Sequence, residues 1–213
     1  MAEEVVVGRE VTIRFDASRC VHSRSCVLGH PEIYVPNVNG EWIHPDAASA
    51  AVVMHTALSC PSGAIRVSRN DGTASSDAAP VVNTVRLREN GPLAIEADLQ
   101  IKSIPQVTPR ATLCRCGQSA NKPFCDGAHA AAGFTATGEP VAKDFAALDA
   151  RNGPLNVQPL RNGPLMVSGN LEIVSGTGRT TDKVTKTFLC RCGQSANKPY
   201  CDGSHKAAGF VAD

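Results

Sequence analysis

Apolar positions in this chain fall in short alternating runs rather than long helical stripes. Val11-Thr-Ile-Arg-Phe15 alternates and predicts a strand, and Ala64-Ile-Arg-Val67 predicts another. Between them, residues 47–58 hold alanines and aliphatics after a Pro45-Asp46 start, which predicts a helix. Further on, Val85-Arg-Leu-Arg and Leu93-Ala-Ile-Glu-Ala flank Asn90-Gly91-Pro92, and Asn162-Gly163-Pro164-Leu165 repeats that turn. Asn-Gly between alternating runs predicts strand, turn, strand. Residues 71–80, DGTASSDAAP, read as a linker, and a second boundary lies within 140–156. The expected class is α+β: a small mixed unit over 1–70, then β-rich units over 81–140 and 157–213.

Composition sharpens this outline. Aromatics are only 4% of a chain with 18 Gly and 14 Pro, so each unit has few bulky core residues and calls for an added staple such as a metal centre. A net charge of +1, from 21 basic and 20 acidic residues, gives no footing for nucleic acid. Residues 1–15 lack the apolar core of a secretory signal, and no run approaches the roughly 18 apolar residues of a membrane span. The chain is expected to be cytoplasmic, with no membrane contact. Nine cysteines in a reducing compartment point to metal before disulfides.

The cysteines form three triplets: Cys20, Cys26, Cys60; Cys114, Cys116, Cys125; Cys190, Cys192, Cys201. The last two belong to an internal repeat. Residues 113–123 and 189–199 both read LCRCGQSANKP, and Cys125-Asp-Gly-Ala-His129 matches Cys201-Asp-Gly-Ser-His205, at an offset of 76 throughout. Residues two apart in an extended segment share a side, so Cys114 and Cys116 present both sulfurs to one metal. Residues four apart on a helix share a face, so Cys125 and His129 present a second pair, with Asp126 placed to cap that helix. Two pairs suit two irons. A single tetrahedral zinc takes the same four ligands and would make a structural interaction module, although Cys-x-Cys is tight for zinc.

The pattern C-x-C-x2-S-x3-P-x-C-D-G-x-H, present at Cys114–His129 and Cys190–His205, resembles the CDGSH iron-sulfur domain of the mitoNEET family. The resemblance covers about residues 81–213, with Ala128 in place of the motif serine as the one departure. It implies one 2Fe-2S cluster per copy, held by Cys114, Cys116, Cys125 and His129, and by Cys190, Cys192, Cys201 and His205. It also implies that the tandem copies form, within a monomer, the pseudo-two-fold arrangement that single-motif relatives reach by dimerising with swapped strands. A neutral histidine in place of a thiolate raises the reduction potential and admits coupling to protons. The implied role is electron transfer with a redox partner protein, or delivery of clusters to an apo-acceptor. A small reductase component is the enzymatic alternative; no nucleophile, base pair or phosphate loop is visible, and Gly176-Thr-Gly178 lacks the lysine of such a loop.

Cys20-x5-Cys26 with a distant Cys60-Pro61 resembles single-cluster bacterial ferredoxins over about residues 11–68, and Ser23 stands where the second cysteine of that motif would be. The resemblance implies a 3Fe-4S cluster on Cys20, Cys26 and Cys60, or a 4Fe-4S cluster whose fourth iron takes His22 or water. A degenerate fold with free thiols is the remaining alternative.

Overall fold

Alternation in the first segment does build a sheet. In the computed structural model, β1 (Glu4–Val7), β2 (Val11–Phe15) and β3 (Ile65–Arg69) pair antiparallel in that order, with Val7 opposite Thr12 and Phe15 opposite Ile65. Val11, Ile13, Ile65 and Val67 face inward and are almost fully buried. Two helices complete this unit, the short α1 (Ser25–Gly29) and α2 (Ala50–Leu58). Ala50, Val53 and Ala57, spaced by three and four, form the buried face of α2. Around them pack Ile33, Ile43 and Tyr34, whose hydroxyl meets Thr56 Oγ1 at 2.9 Å.

The helix predicted from residue 47 starts later. Pro45–Ala47 form a separate 3-10 turn, and Ser49 keeps an extended backbone (ψ 151°) as the residue before α2. Its carbonyl accepts the first helical bond, from Val53 N at 3.0 Å. Residues after β3 fold back on that strand: Ser75 bridges Ser68, and the Ser76 hydroxyl accepts from Val67 N at 2.9 Å.

The chain forms two compact units, residues 1–78 and 79–213, and the structure describes residues 3–102, 104–105 and 108–212. The second unit is a seven-stranded sheet of β4 (Thr84–Leu87), β5 (Leu93–Glu96), β6 (Asp98–Ile101), β7 (Arg110–Leu113), β8 (Pro154–Pro159), β9 (Leu165–Val174) and β10 (Thr180–Leu189). Each repeat supplies an antiparallel meander, β4-β5-β7 and β8-β9-β10. The repeats are then joined by two parallel pairings: β4 with the end of β9, Val85 opposite Ile173, and β6 with β8, Leu99 opposite Leu155. Since β6 continues the line of β5 after Ala97, each repeat's first strand is bonded to the far end of the other's second.

One core serves both repeats. Leu93, Ile95, Leu99 and Leu113 lie in it with their counterparts Leu165, Val167, Leu171 and Leu189. The Asn-Gly-Pro turns behave as the sequence predicts, with Asn90 and Asn162 in the left-handed region at φ 49° and 52°, where asparagine is tolerated better than most residues. Each asparagine also clasps the chain that follows the motif. Asn90 N donates to Ala136 O at 2.9 Å and Asn162 N to Ala212 O at 2.7 Å, and each side-chain oxygen accepts a bond in return.

Candidate metal centres

Each cysteine motif grows out of the end of a strand. Where β7 ends, Leu113 bridges Phe124, Cys114 N donates to Pro123 O at 2.8 Å, and Cys125 N donates to Thr112 O at 2.9 Å. β10 repeats this with Leu189 on Tyr200, Cys190 on Pro199 and Cys201 on Phe188. The loop so closed is held from inside. Ser119 Oγ, buried, donates to Phe124 O at 2.6 Å and accepts from Asn121 N, while Asp126 accepts from the N–H groups of Ala120 and Ala128. Ser195 and Asp202 do the same in the second copy.

The donors gather in doublets. Cys114 and Cys116 sulfurs lie 3.8 Å apart, and Cys190 and Cys192 3.7 Å. Cys125 Sγ lies 3.4 Å from His129 Nδ1, as does Cys201 Sγ from His205 Nδ1. A tetrahedral metal with bonds of about 2.3 Å to sulfur and about 2.0 Å to nitrogen sets edges of roughly 3.8 Å and 3.5 Å, so each doublet has the bite of one metal. Among the described residues, no group of three or more His, Cys, Asp or Glu closes as it would around a single ion.

The cysteine-histidine doublet is not made by a shared helix face, as the spacing had predicted. α3 spans only Ala128–Ala131 and begins after Cys125, and the matching segment of the second copy is a turn. Gly127 and Gly203, at φ 88° and 91°, turn the chain so that the imidazole returns to the sulfur. The expected cap is present in altered form, with Asp126 Oδ1 accepting from Ala128 N at 3.0 Å although Gly127 is the capping residue.

Backbone N–H groups point at the sulfurs. Gln118 N and Gln194 N lie 3.4 Å from Cys116 and Cys192, and Gly127 N and Gly203 N lie 3.4 Å from Cys125 and Cys201. Such donors stabilise thiolate over thiol, the form that binds metal. The contact between the two sulfurs is the main cause that lowers Cys114 to about 6 and raises Cys116. Burial pushes Cys125 up to about 11 and His129 below its ordinary value, which favours the neutral imidazole a metal needs.

Arg115 and Arg191, between the paired cysteines, are buried residues that spacing alone does not single out. They are 1% and 0% exposed. Arg115 donates to the carbonyls of Gly91 (Nε, 3.0 Å), Arg88 and Ala136 (Nη2, 3.0 and 2.9 Å) and Thr137 (Nη1, 3.2 Å). Arg191 repeats the scheme on Gly163 at 2.7 Å and Leu160 at 2.6 Å. Phe134 and Phe210 lie under the two guanidiniums at 5.6 and 5.5 Å. The signal was available: if both cysteines of C-R-C face one way, the residue between them faces the other, into the body of the fold.

The two copies meet at their cysteine arms. Cys116 and Cys192 form an antiparallel bridge, and the glycines after them, both at φ 83°, sit against each other's arm.

In the first unit, Cys20 ends a 3-10 turn, Cys26 lies in α1, and Cys60 follows α2. All three are half-buried, and Cys26 and Cys60 pack on the unit's core. Burial raises the Cys20 and Cys26 thiols, and the charge of Cys60 adds to the rise in each. His22 Nδ1 is 3.9 Å from Cys20 Sγ, and Ser62 Oγ is 3.6 Å from Cys60 Sγ. Ser23 is exposed and meets the Ser25 hydroxyl at 3.3 Å.

Comparison with known proteins agrees with this arrangement. The family description "Iron-binding zinc finger CDGSH type" matches residues 90–130 and 162–206, and "Divergent 4Fe-4S mono-cluster" matches residues 6–70. Over 60 residues the chain is 33% identical to "Uncharacterized protein YjdI" of Escherichia coli strain K12, a match covering 28% of this chain and 76% of the relative. The protein of the same name in Escherichia coli O157:H7 matches equally. With duplicated thiol-imidazole pockets following a three-cysteine unit, the chain belongs to the iron-sulfur proteins that carry tandem CDGSH domains behind a divergent 4Fe-4S mono-cluster domain.

Proposed function

We propose that residues 81–140 and 157–213 each hold one 2Fe-2S cluster and that the protein carries electrons, or hands on clusters, as a non-enzymatic component. The observation that carries this reading is the doublet geometry, repeated in both copies: 3.8 and 3.7 Å between paired sulfurs, 3.4 Å between sulfur and imidazole. Cys114 and Cys116 would hold one iron, Cys125 and His129 the other; Cys190 and Cys192, Cys201 and His205 repeat this. The reciprocal pairing of β4 with β9 and β6 with β8 supports a pseudo-two-fold arrangement inside a monomer. When bound, such a cluster supplies one-electron chemistry. Backbone N–H groups favour the thiolates, and in the first copy His129 is less buried than Cys114, Cys116 and Cys125, so a redox partner protein or an apo-acceptor would approach from the histidine side. In the first unit Cys20, Cys26 and Cys60 would hold a third centre of the 4Fe-4S or 3Fe-4S type. Among the described residues no helix is long and apolar enough to cross a membrane, and a cytoplasmic site of action is part of the same proposal.

Metal and sulfide analysis tests the reading. Two irons and two sulfides per CDGSH copy, with an EPR signal on reduction, are expected. A colourless protein with one zinc per copy would sink it in favour of a structural module. A His205→Cys variant should hold its cluster to lower pH than the parent, because a histidine ligand can be lost to protonation.

A further inference from the structure

We propose that Arg115 and Arg191 are positioning residues for the two clusters: each locks the cysteine arm it belongs to and supplies a buried positive charge that holds the reduction potential up. The inference rests on the two-cluster reading above.

Burying a guanidinium carries a cost. An isolated buried charge is strongly unfavourable unless hydrogen-bonded and balanced by an opposite charge. The hydrogen bonds are present: Arg115 is met by carbonyls from the Asn-Gly-Pro turn and from the Ala136-Thr137 segment beyond His129. One planar fork thereby ties three stretches of chain to the residue between Cys114 and Cys116. Carbonyl dipoles satisfy donors but do not cancel a full charge. Among the described residues, no carboxylate lies within 4.0 Å of Arg115, and the Glu89 carboxylate acts on it from farther off. Glu89 therefore balances part of that charge, and the Cys190 sulfur of the other copy adds to it. The Arg115 charge in turn acts on His129 in its own copy.

A fixed cation beside a cluster favours the more negative, reduced state, which raises the potential. A staple alone would not do so, since its loss loosens the arm without moving the charge balance. Lysine separates the two roles, because it keeps the charge and loses the fork.

The test is an EPR-monitored redox titration, with iron and sulfide counts, of the full chain as parent, Arg115→Met and Arg115→Lys. The expected result is a downward shift of the first cluster's midpoint potential in Arg115→Met, a smaller one in the second cluster, and a shift several times smaller in Arg115→Lys. A fully loaded Arg115→Met at the parent potential overturns the inference. If Arg115→Met loads, an equal lowering in Arg115→Lys overturns the inference; if it does not load, Arg115→Lys decides, since loading at or near the parent potential supports the charge role while failure to load or a clearly lowered potential overturns it. Absence of iron and sulfide from these pockets in the parent would instead refute the two-cluster reading.

Discussion

Cys116 and Cys192, the second cysteines of the two arms, pair through their backbones in an antiparallel bridge. The contact leaves no room beside it. A Cβ on Gly117 would stand 2.6 Å from Cys192 O, and one on Gly193 would stand 2.5 Å from Cys116 O. Both glycines also take φ 83°, a backbone region that side chains adopt only under strain.

Gly193→Ala is therefore expected to disturb both arms, although it alters one repeat. Strain at such a site is worth about 1–3 kcal/mol before the clash is counted. Iron content per chain, read with thermal melting, should fall in both copies; loss confined to the second would contradict the shared contact.

Glu172 sets an acid limit on the second unit. It is 2% exposed, bonded to Arg151 Nε at 2.7 Å, and has Lys183 Nζ at 3.6 Å. The bond from Arg151 is the main cause that holds its carboxyl below the ordinary glutamate value. A depressed carboxyl contributes stability in full above its unfolded pKa and loses it as pH falls through the folded one. Glu172→Gln should cost about 1–3 kcal/mol at neutral pH, with the deficit shrinking in acid. Denaturant melts at pH 7 and under pH 4 would show this, and an equal deficit at both would refute it.

Tyr200 distinguishes the second pocket from the first, where Phe124 stands in its place. Its hydroxyl donates to the buried Asp182 at 2.5 Å, and Lys143 reaches both the same carboxylate, at 3.2 Å, and the ring face, at 3.3 Å. Tyr200→Phe is expected to lower stability by about 1–3 kcal/mol through the lost hydrogen bond to a carboxylate, which Lys143 continues to pair. Cluster loading should stay at the parent level, since the first copy closes its loop around phenylalanine; loss of the second cluster would show the hydroxyl to be required.

Removal of Cys60 isolates the first unit. Cys60→Ala should abolish iron bound by residues 1–78 while the CDGSH signals persist. An unchanged iron count would mean that Cys20, Cys26 and Cys60 hold no centre.

The cysteine and histidine positions were legible because one spacing occurs twice at a fixed offset, and local motifs need no tertiary knowledge. The Asn-Gly-Pro turns were legible for the same reason. Pairing of β4 with β9 was not, since register between distant strands follows from the assembled core rather than from either segment. The helix expected to carry both Cys125 and His129 is shorter than that and leaves Cys125 outside, because a four-residue spacing can be met by a left-handed glycine as well as by a helix. Arg115 was overlooked because arginine is ordinarily a surface residue, and only the fold reveals the carbonyls waiting for it.

The reciprocal parallel pairings bear on how such a chain could be divided. Residues 144–150 run largely exposed between the repeats, while sheet contacts are made on either side of them. A protease cut there would sever covalent continuity yet break no strand pairing. The nicked halves should stay associated, and a lone half, lacking its partner for β4 or β8, would expose raw sheet edge and seek another copy.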